Sequence, residues 1–405
     1  MSASLEVNIN PAVLKWARET AQYDVQDASH KSKINLDQLV SFEKGKIKPT
    51  YTQLLNLAEV YQRPAMIFFS QNIPESKTDK LPDFRSPNKN NEKFSPELIF
   101  ELRSARFRRQ SLINIEFEDY EIPIFELNAK LSDDKEKIAH DIKKALGASK
   151  ARQDTLKNAD KALEFWISRV ENLGVLVFQF YGIKSEEMRG YAINYQKLPI
   201  IGINVQEHAH GRIFSLFHEL AHLTLKKEGV SNINSYKLKD EIEIFCNQIA
   251  AEILVPKKVF EKDTIVRNIS EENLTDQDLT KLSKKYKVSP EVIIRRLKSI
   301  RKLSYKSISN KKEWKTYIGS NYRSKPDKNN KKGEKKPETT KTDIKNKNPN
   351  ISKALKRNGL LYTEKVFDAY DEDLITTSDL SEYLGEKLHT VAEIHNKIIK
   401  RGIES

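Results

Sequence analysis

The sequence predicts a mostly α-helical protein with a small β-sheet, an α+β chain in which helical units flank one strand-rich stretch. Three observations carry that expectation. Apolar residues recur at three- and four-residue spacing through most of the 405 residues, often behind helix-capping signals. Only residues 174–205 switch to short β-branched and aromatic runs divided by turn residues. Hydrophobic residues are 38% of the chain and charged residues 31%, which is too polar for one large globule.

Residues 8–70 read as the first helical unit. Asn10-Pro11 supplies a cap and a first-turn proline to a helix through Val13, Leu14, Trp16 and Ala17. Short helices follow near 24–31 and 35–43, with Gly45 able to end the latter. Pro49-Thr50 opens a fourth, turning Leu54, Leu55, Leu57, Ala58 and Tyr61 inward. Asp24 to Gly45 has the rhythm of a helix-turn-helix, a motif that seats its second helix in the DNA major groove. Residues 1–70 carry eight Lys/Arg against seven Asp/Glu, so a module that binds protein or dimerises is the other reading.

Residues 81–322 make the second unit, with its core at 160–260. Leu81-Pro82-Asp83-Phe84-Arg85 is a loop, and helices are expected near 95–117, 133–147 and 157–173. Arg103, Arg106, Arg108 and Arg109 cluster on the first of them, on a face that suits solvent or nucleic acid. Three β runs follow at 174–180, 190–195 and 198–204. An edge strand there could hold an extended peptide by main-chain hydrogen bonds.

Directly after the strands comes His218-Glu219-Leu220-Ala221-His222, an H-E-x-x-H inside an apolar helical run. Histidines at this spacing are offset by about 40° and rise about 6 Å, so both imidazoles leave one face. That pair suits one zinc ion per chain, with Glu219 placed to take a proton from an attacking water. A site with an open position needs a third ligand. The next helix offers it: Ile242, Phe245, Ile249 and Ile253 form its apolar stripe, and Glu243 with Asn247 lie one turn apart beside that stripe. Glu243 is the preferred third ligand, with Asn247 steadying a ligand imidazole. Glu241 is the rival, and Glu252 lies two turns further on. Cys246, the single cysteine, excludes an intramolecular disulfide and reads as a small packing residue.

Residues 257–301 are a helical extension. Leu274 to Leu297 again has a helix-turn-helix rhythm, read as scaffold. Residues 323–350 hold ten Lys/Arg and four Asp/Glu with a single aliphatic residue, and read as a disordered basic linker. That stretch carries +6 of the chain's +13. Residues 351–405 form a small C-terminal helical domain, with Leu355, Leu360, Val366, Phe367, Leu380, Leu384, Val391 and Ile394 at core spacing. The first twenty residues are polar and no apolar run approaches 18 residues, so a cytoplasmic protein with no membrane partner is expected.

Particular strips carry two resemblances. Val40-Ser41-Phe42-Glu43-Lys44-Gly45-Lys46-Ile47-Lys48-Pro49-Thr50 resembles the recognition-helix exit of the Cro/C1-type (XRE) helix-turn-helix family. By that resemblance Asn35, Gln38 and Ser41 face DNA bases, and Lys44, Lys46 and Lys48 lie near phosphates, so DNA would bind through residues 24–48. Over roughly residues 8–300 the chain resembles the long form of the ImmA/IrrE family of zinc metallopeptidases. Its strips are Asn10 to Glu19, Pro82-Asp83-Phe84-Arg85, Arg212 to His222, and Glu243 to Pro256. The last is similar to the family's E-x-x-x-N-x-F-A-A-E-L-L-M-P signature and supports Glu243, with departures at Cys246 and Ile249.

The resemblance implies a zincin-like domain holding Zn2+ through His218, His222 and Glu243, with Glu219 as general base. It also implies regulatory proteolysis, in which the substrate is a transcriptional repressor or an antitoxin-type partner. Tyr191, Tyr195, Tyr236, His208 and His210 are the candidates for an oxyanion donor. A homodimer is an open option for the DNA-binding form. The rivals are a transcriptional regulator with a structural metal, and an antitoxin-like module that masks a toxin without cutting it.

Overall fold

The computed structural model describes residues 5–74, 94–115, 123–148, 155–225, 236–270, 273–302 and 349–404. The strip Pro82-Asp83-Phe84-Arg85 and nearly all of the expected linker 323–350 lie outside the described residues. The chain divides into two compact units, Met1–Ser111 with Gly182–Met188, and Leu112–Tyr181 with Arg189–Ser405.

In the first unit, α1 (Pro11–Thr20) is capped by the Asn10 side chain, which accepts the N–H of Ala12. Asp24 caps α2 (Val25–Ser32) and Asn35 caps α3 (Leu36–Glu43). The turn between them passes through Lys33 in the left-handed conformation, then buried Ile34. Thr50 and Gln53 close a capping box on α4 (Tyr51–Tyr61). Val13, Leu14, Leu39, Phe42, Leu54, Leu57 and Phe68 fill the space between these helices. Arg18 of α1 clasps Glu43 of α3 with two bonds, 2.7 and 3.0 Å, and gives a third to the Tyr23 carbonyl at 3.0 Å.

The arginines of α5 (Pro96–Asn114) are partly accounted for by packing. Arg103 donates to the carbonyls of Thr20 at 2.6 Å and Tyr61 at 3.3 Å, the ends of α1 and α4, where a cation meets the negative pole of each helix. Arg108 is buried beside Glu101 at 3.7 Å.

The second unit holds α6 (Lys135–Ala145), α7 (Ala159–Glu171) and a three-stranded sheet in the order β1 (Leu176–Phe180), β3 (Ile200–Asn204), β2 (Gly190–Ile193). β1 runs parallel to β3, and β2 runs antiparallel to it and forms an edge. Both β1 and β3 are buried along their whole length, which requires cover on both faces. One cover is α8 (Ala209–Thr224), with α9 (Tyr236–Leu254) behind it. Trp166 of α7 wedges edge-on against Phe217 of α8, centroids 5.0 Å apart. Four helices extend this core: α10 (Lys257–Glu261), α11 (Thr264–Asn268), α12 (Asp276–Tyr286) and α13 (Pro290–Ser299). The C-terminal residues fold as α14 (Pro349–Asn358), α15 (Leu360–Asp371), α16 (Thr377–Leu384) and α17 (Leu388–Glu404), and α14 and α15 lie against β1.

Candidate metal centre

α8 is anchored before it reaches the centre. Its first-turn Arg212 donates to Gln179 of β1 at 3.1 Å and to Asp160 of α7 at 3.4 Å. Ile213, Leu216, Phe217, Leu220 and Leu223 then bury one stripe of the helix. α9 answers with Ile242, Phe245, Cys246, Ile249 and Ile253, so the two helices share one apolar seam. The fully buried Cys246 serves there as a small packing residue.

At the seam's edge three donors converge. The Nε2 atoms of His218 and His222 are 3.1 Å apart, and each lies 3.4 Å from one oxygen of Glu243. The rings meet edge to face at 70°. Among the described residues this is the one His/Cys/Asp/Glu group whose ligand atoms converge in this way. Metal–ligand bonds of about 2.0–2.1 Å in a tetrahedral site imply ligand-to-ligand edges of about 3.3–3.4 Å. Spacing and donor chemistry therefore both fit one divalent cation, with a fourth corner left for substrate or water. Asn247 Oδ1 stands 3.1 Å from His218 Nδ1 and can accept an N–H there, a bond that would leave the Nε2 lone pair to a bound ion.

The rivals for third ligand are placed elsewhere. Glu241 is exposed and outside the converging group. Glu252 caps the Lys257 N–H at 2.8 Å and pairs with buried Arg296 at 3.0 Å.

Glu219 is buried and turns its carboxylate toward the first residue of edge strand β2. A methyl group on Gly190 would come within 3.1 Å of its Cγ and Oε1. Burial raises the Glu219 carboxyl above its ordinary value, while His218 and His222 pull it back and Glu243 raises it further. Burial pushes Glu243 up as well, but hydrogen bonds from His218 and His222 outweigh that and hold it well below the carboxylate range. Burial alone would lower His218; the hydrogen bond to Glu243 and the charge of Glu219 lift it instead.

Of the expected oxyanion donors, Tyr191 packs within the sheet. Tyr191 is buried, stacked on Phe180 at 5.5 Å with its ring over Gly202, where a Cβ would come within 2.1 Å of it. Tyr195 sits half-buried in the β2–β3 loop, and the Tyr236 side chain lies outside the described residues. His208 and His210 precede His218 by ten and eight positions, about 15 and 12 Å along a helix rising 1.5 Å per residue. That is too far for either to reach a carbonyl at the centre; burial, with Lys287 nearby, lowers His210 from its ordinary value. Sequence reading missed the Gly190 contact and the Arg212–Gln179–Asp160 anchor. Arg212 opened one of the resembling strips, but nothing in the spacing named its partners.

The nucleic-acid candidates lie in the first unit. Gln38, Lys44, Lys46 and Lys48 are exposed and Ser41 is half-buried. Asn35 is exposed too, but its oxygen is committed to the Asp37 N–H at 2.9 Å.

No curated protein and no solved structure matches the chain. Among the described residues no helix is long and apolar enough to cross a membrane. Residues 170–298 match the family model described as the IrrE N-terminal-like domain, Peptidase_M78. The match begins at the end of α7 and takes in the sheet, both helices of the centre and α10 to α13, and it leaves residues 5–74 outside. The converging His, His and Glu side chains thus lie inside the segment that matches the IrrE N-terminal-like domain, in keeping with the ImmA/IrrE resemblance of its motifs.

Proposed function

We propose that this protein is a cytoplasmic zinc-dependent endopeptidase that cuts a regulatory protein, a repressor or antitoxin-type partner. The observation that carries the reading is the set of 3.1 and 3.4 Å separations among His218, His222 and Glu243, with Glu219 one residue from the first histidine. His218, His222 and Glu243 hold the ion, and Asn247 orients His218. A zinc ion held there supplies Lewis acidity to a scissile carbonyl and makes a water a stronger acid. Glu219 would take a proton from an attacking water and return it to the leaving amine. Strand β2, with Gly190 against the Glu219 carboxylate, is an edge of the sheet along which an extended substrate would lie.

Residues 24–48 would bring the peptidase to DNA. The α2–α3 pair with its tight turn, and the exposed Gln38, Lys44 and Lys46, support that part. Glu219→Gln tests the enzyme. It should keep the metal and fold while losing cleavage of a repressor-type protein that the unsubstituted enzyme cuts; unchanged cleavage removes the base from the mechanism. Mobility shifts with a native promoter fragment test the DNA part. Loss of a sequence-specific shift in Gln38→Ala and Lys44→Ala supports it, and no shift with the unsubstituted protein sinks it.

A further inference from the structure

The face of the sheet that turns away from α8 is covered by chain outside the family match. Side chains alternate along β1. Val177 joins the core shared with α8 and α9, whereas Phe178 meets Tyr362 of α15 edge to face, with centroids 6.1 Å apart. Lys353 of α14 sits 5.0 Å over the Tyr181 ring. The join centres on two residues. Glu171, the last residue of α7, is buried, and its Oε1 accepts the N–H of Leu360 at 3.0 Å and of Leu361 at 3.2 Å. These are the first two residues of α15, whose N-cap, Gly359, offers no side chain. Gly359 has a φ of +74°, and a Cβ there would come within 2.5 Å of the Val177 carbonyl oxygen. The first turn of α15 can therefore seat on α7 and β1 because residue 359 lacks a side chain and residue 171 brings an acceptor.

Glu171 has no cation for company among the described residues. On its own helix, Arg169 stacks over Phe165. From α15, Glu364 adds a second negative charge, and Lys365 is tied to Asp368 at 2.7 Å. From α14, Arg357 is held by Glu386 and the Leu384 and Gly385 carbonyls. β1 carries no ionisable side chain. Burial pushes the Glu171 carboxyl up to about 8, against the opposing pull of the two N–H groups.

We propose that Glu171 and Gly359 form a protonation-dependent latch that seats residues 349–404 on the outer face of β1 and loosens when Glu171 ionises. A neutral carboxyl accepts both N–H groups without a buried charge. An ionised one stays buried with no counter-charge unless α15 lifts and water reaches it. The seated carboxyl titrates above the unseated one. Seating is thus strongest below the ordinary carboxylate range, weakens as pH rises toward about 8, and levels off beyond it.

Amide exchange at Leu360 and Leu361 in the full chain, compared between pH 5 and pH 9, tests the latch. The opening constant should rise about tenfold per pH unit below the Glu171 midpoint, the slope for one proton released. In Glu171→Gln, which keeps the acceptor oxygen, it should stay flat. Equal slopes in the two proteins, or a flat profile in the unsubstituted one, overturn the proposal. Should Glu171→Gln not fold, direct NMR titration of the Glu171 carboxyl decides, since a midpoint in the ordinary carboxylate range overturns it and one near 8 supports it. Gly359→Ala should lose protection of both amides at every pH, and full protection in that variant would overturn the seating.

Discussion

Two of the clusters of ionisable side chains that join helices in this chain are built on opposite principles. Arg18 and Glu43 link α1 to α3 and satisfy each other, with two guanidinium bonds to the carboxylate and a third to a carbonyl. His218, His222 and Glu243 link α8 to α9 and leave a gap between them, ringed by two imidazole nitrogens and a carboxylate. A planar cation against a planar anion closes its own account and needs nothing further. Two imidazole nitrogens and a carboxylate that converge on one point offer three ligands to a divalent cation. The contrast is between a pair of opposite charges that match each other and a set of electron-donating atoms that suits a metal.

The sharpest way to break that comparison is to remove one donor. His222→Ala should lose the bound metal outright, read as metal per chain after gel filtration; full retention would show that the gap is not a metal site. Glu219→Gln should keep the metal and lower peptide cleavage by roughly 10²–10⁴-fold, the range for a lost general base. On the self-satisfied side, Glu43→Ala leaves the half-buried Arg18 guanidinium with the Tyr23 carbonyl and Glu19 and should destabilise the first unit by about 1.5–3 kcal/mol in denaturant unfolding. Replacing Arg18 and Glu43 together by apolar residues of like volume should come out near neutral, and a large loss there would mean that the pair does more than neutralise itself. Asn247→Ala should weaken metal affinity about 10–100-fold without abolishing it. Smallest is Arg295→Ala, which removes an exposed pair with Glu291 one turn away and should change stability by about 0.5 kcal/mol or less.

The helices of the centre were legible because their signals are local. H-E-x-x-H places two imidazoles on one face wherever a helix forms, and the apolar stripe from Ile242 to Ile253 announces the partner helix. The same holds for the Asn10 and Thr50 caps and for the β runs of 174–205, which fold as strands within a few residues of the expected limits. Choosing Glu243 over Glu241 and Glu252 was harder, since all three are acidic residues of one helix. What separates them is Arg296, more than forty positions further on, which occupies Glu252, together with the rotation of α9 that leaves Glu241 in solvent.

By itself, then, the sequence determined the secondary structure of the centre, the identity of its two histidines and the acid between them, and the capped helices of residues 5–74. Tertiary structure alone decided that Gly190 makes room beside Glu219, that Arg103 caps two helices, and that Glu171 meets the start of α15 across 189 positions. The physical reason is range. Periodicity and capping act over one or two turns and leave a mark in neighbouring residues, whereas a contact between distant segments depends on how whole elements pack and leaves no spacing to read.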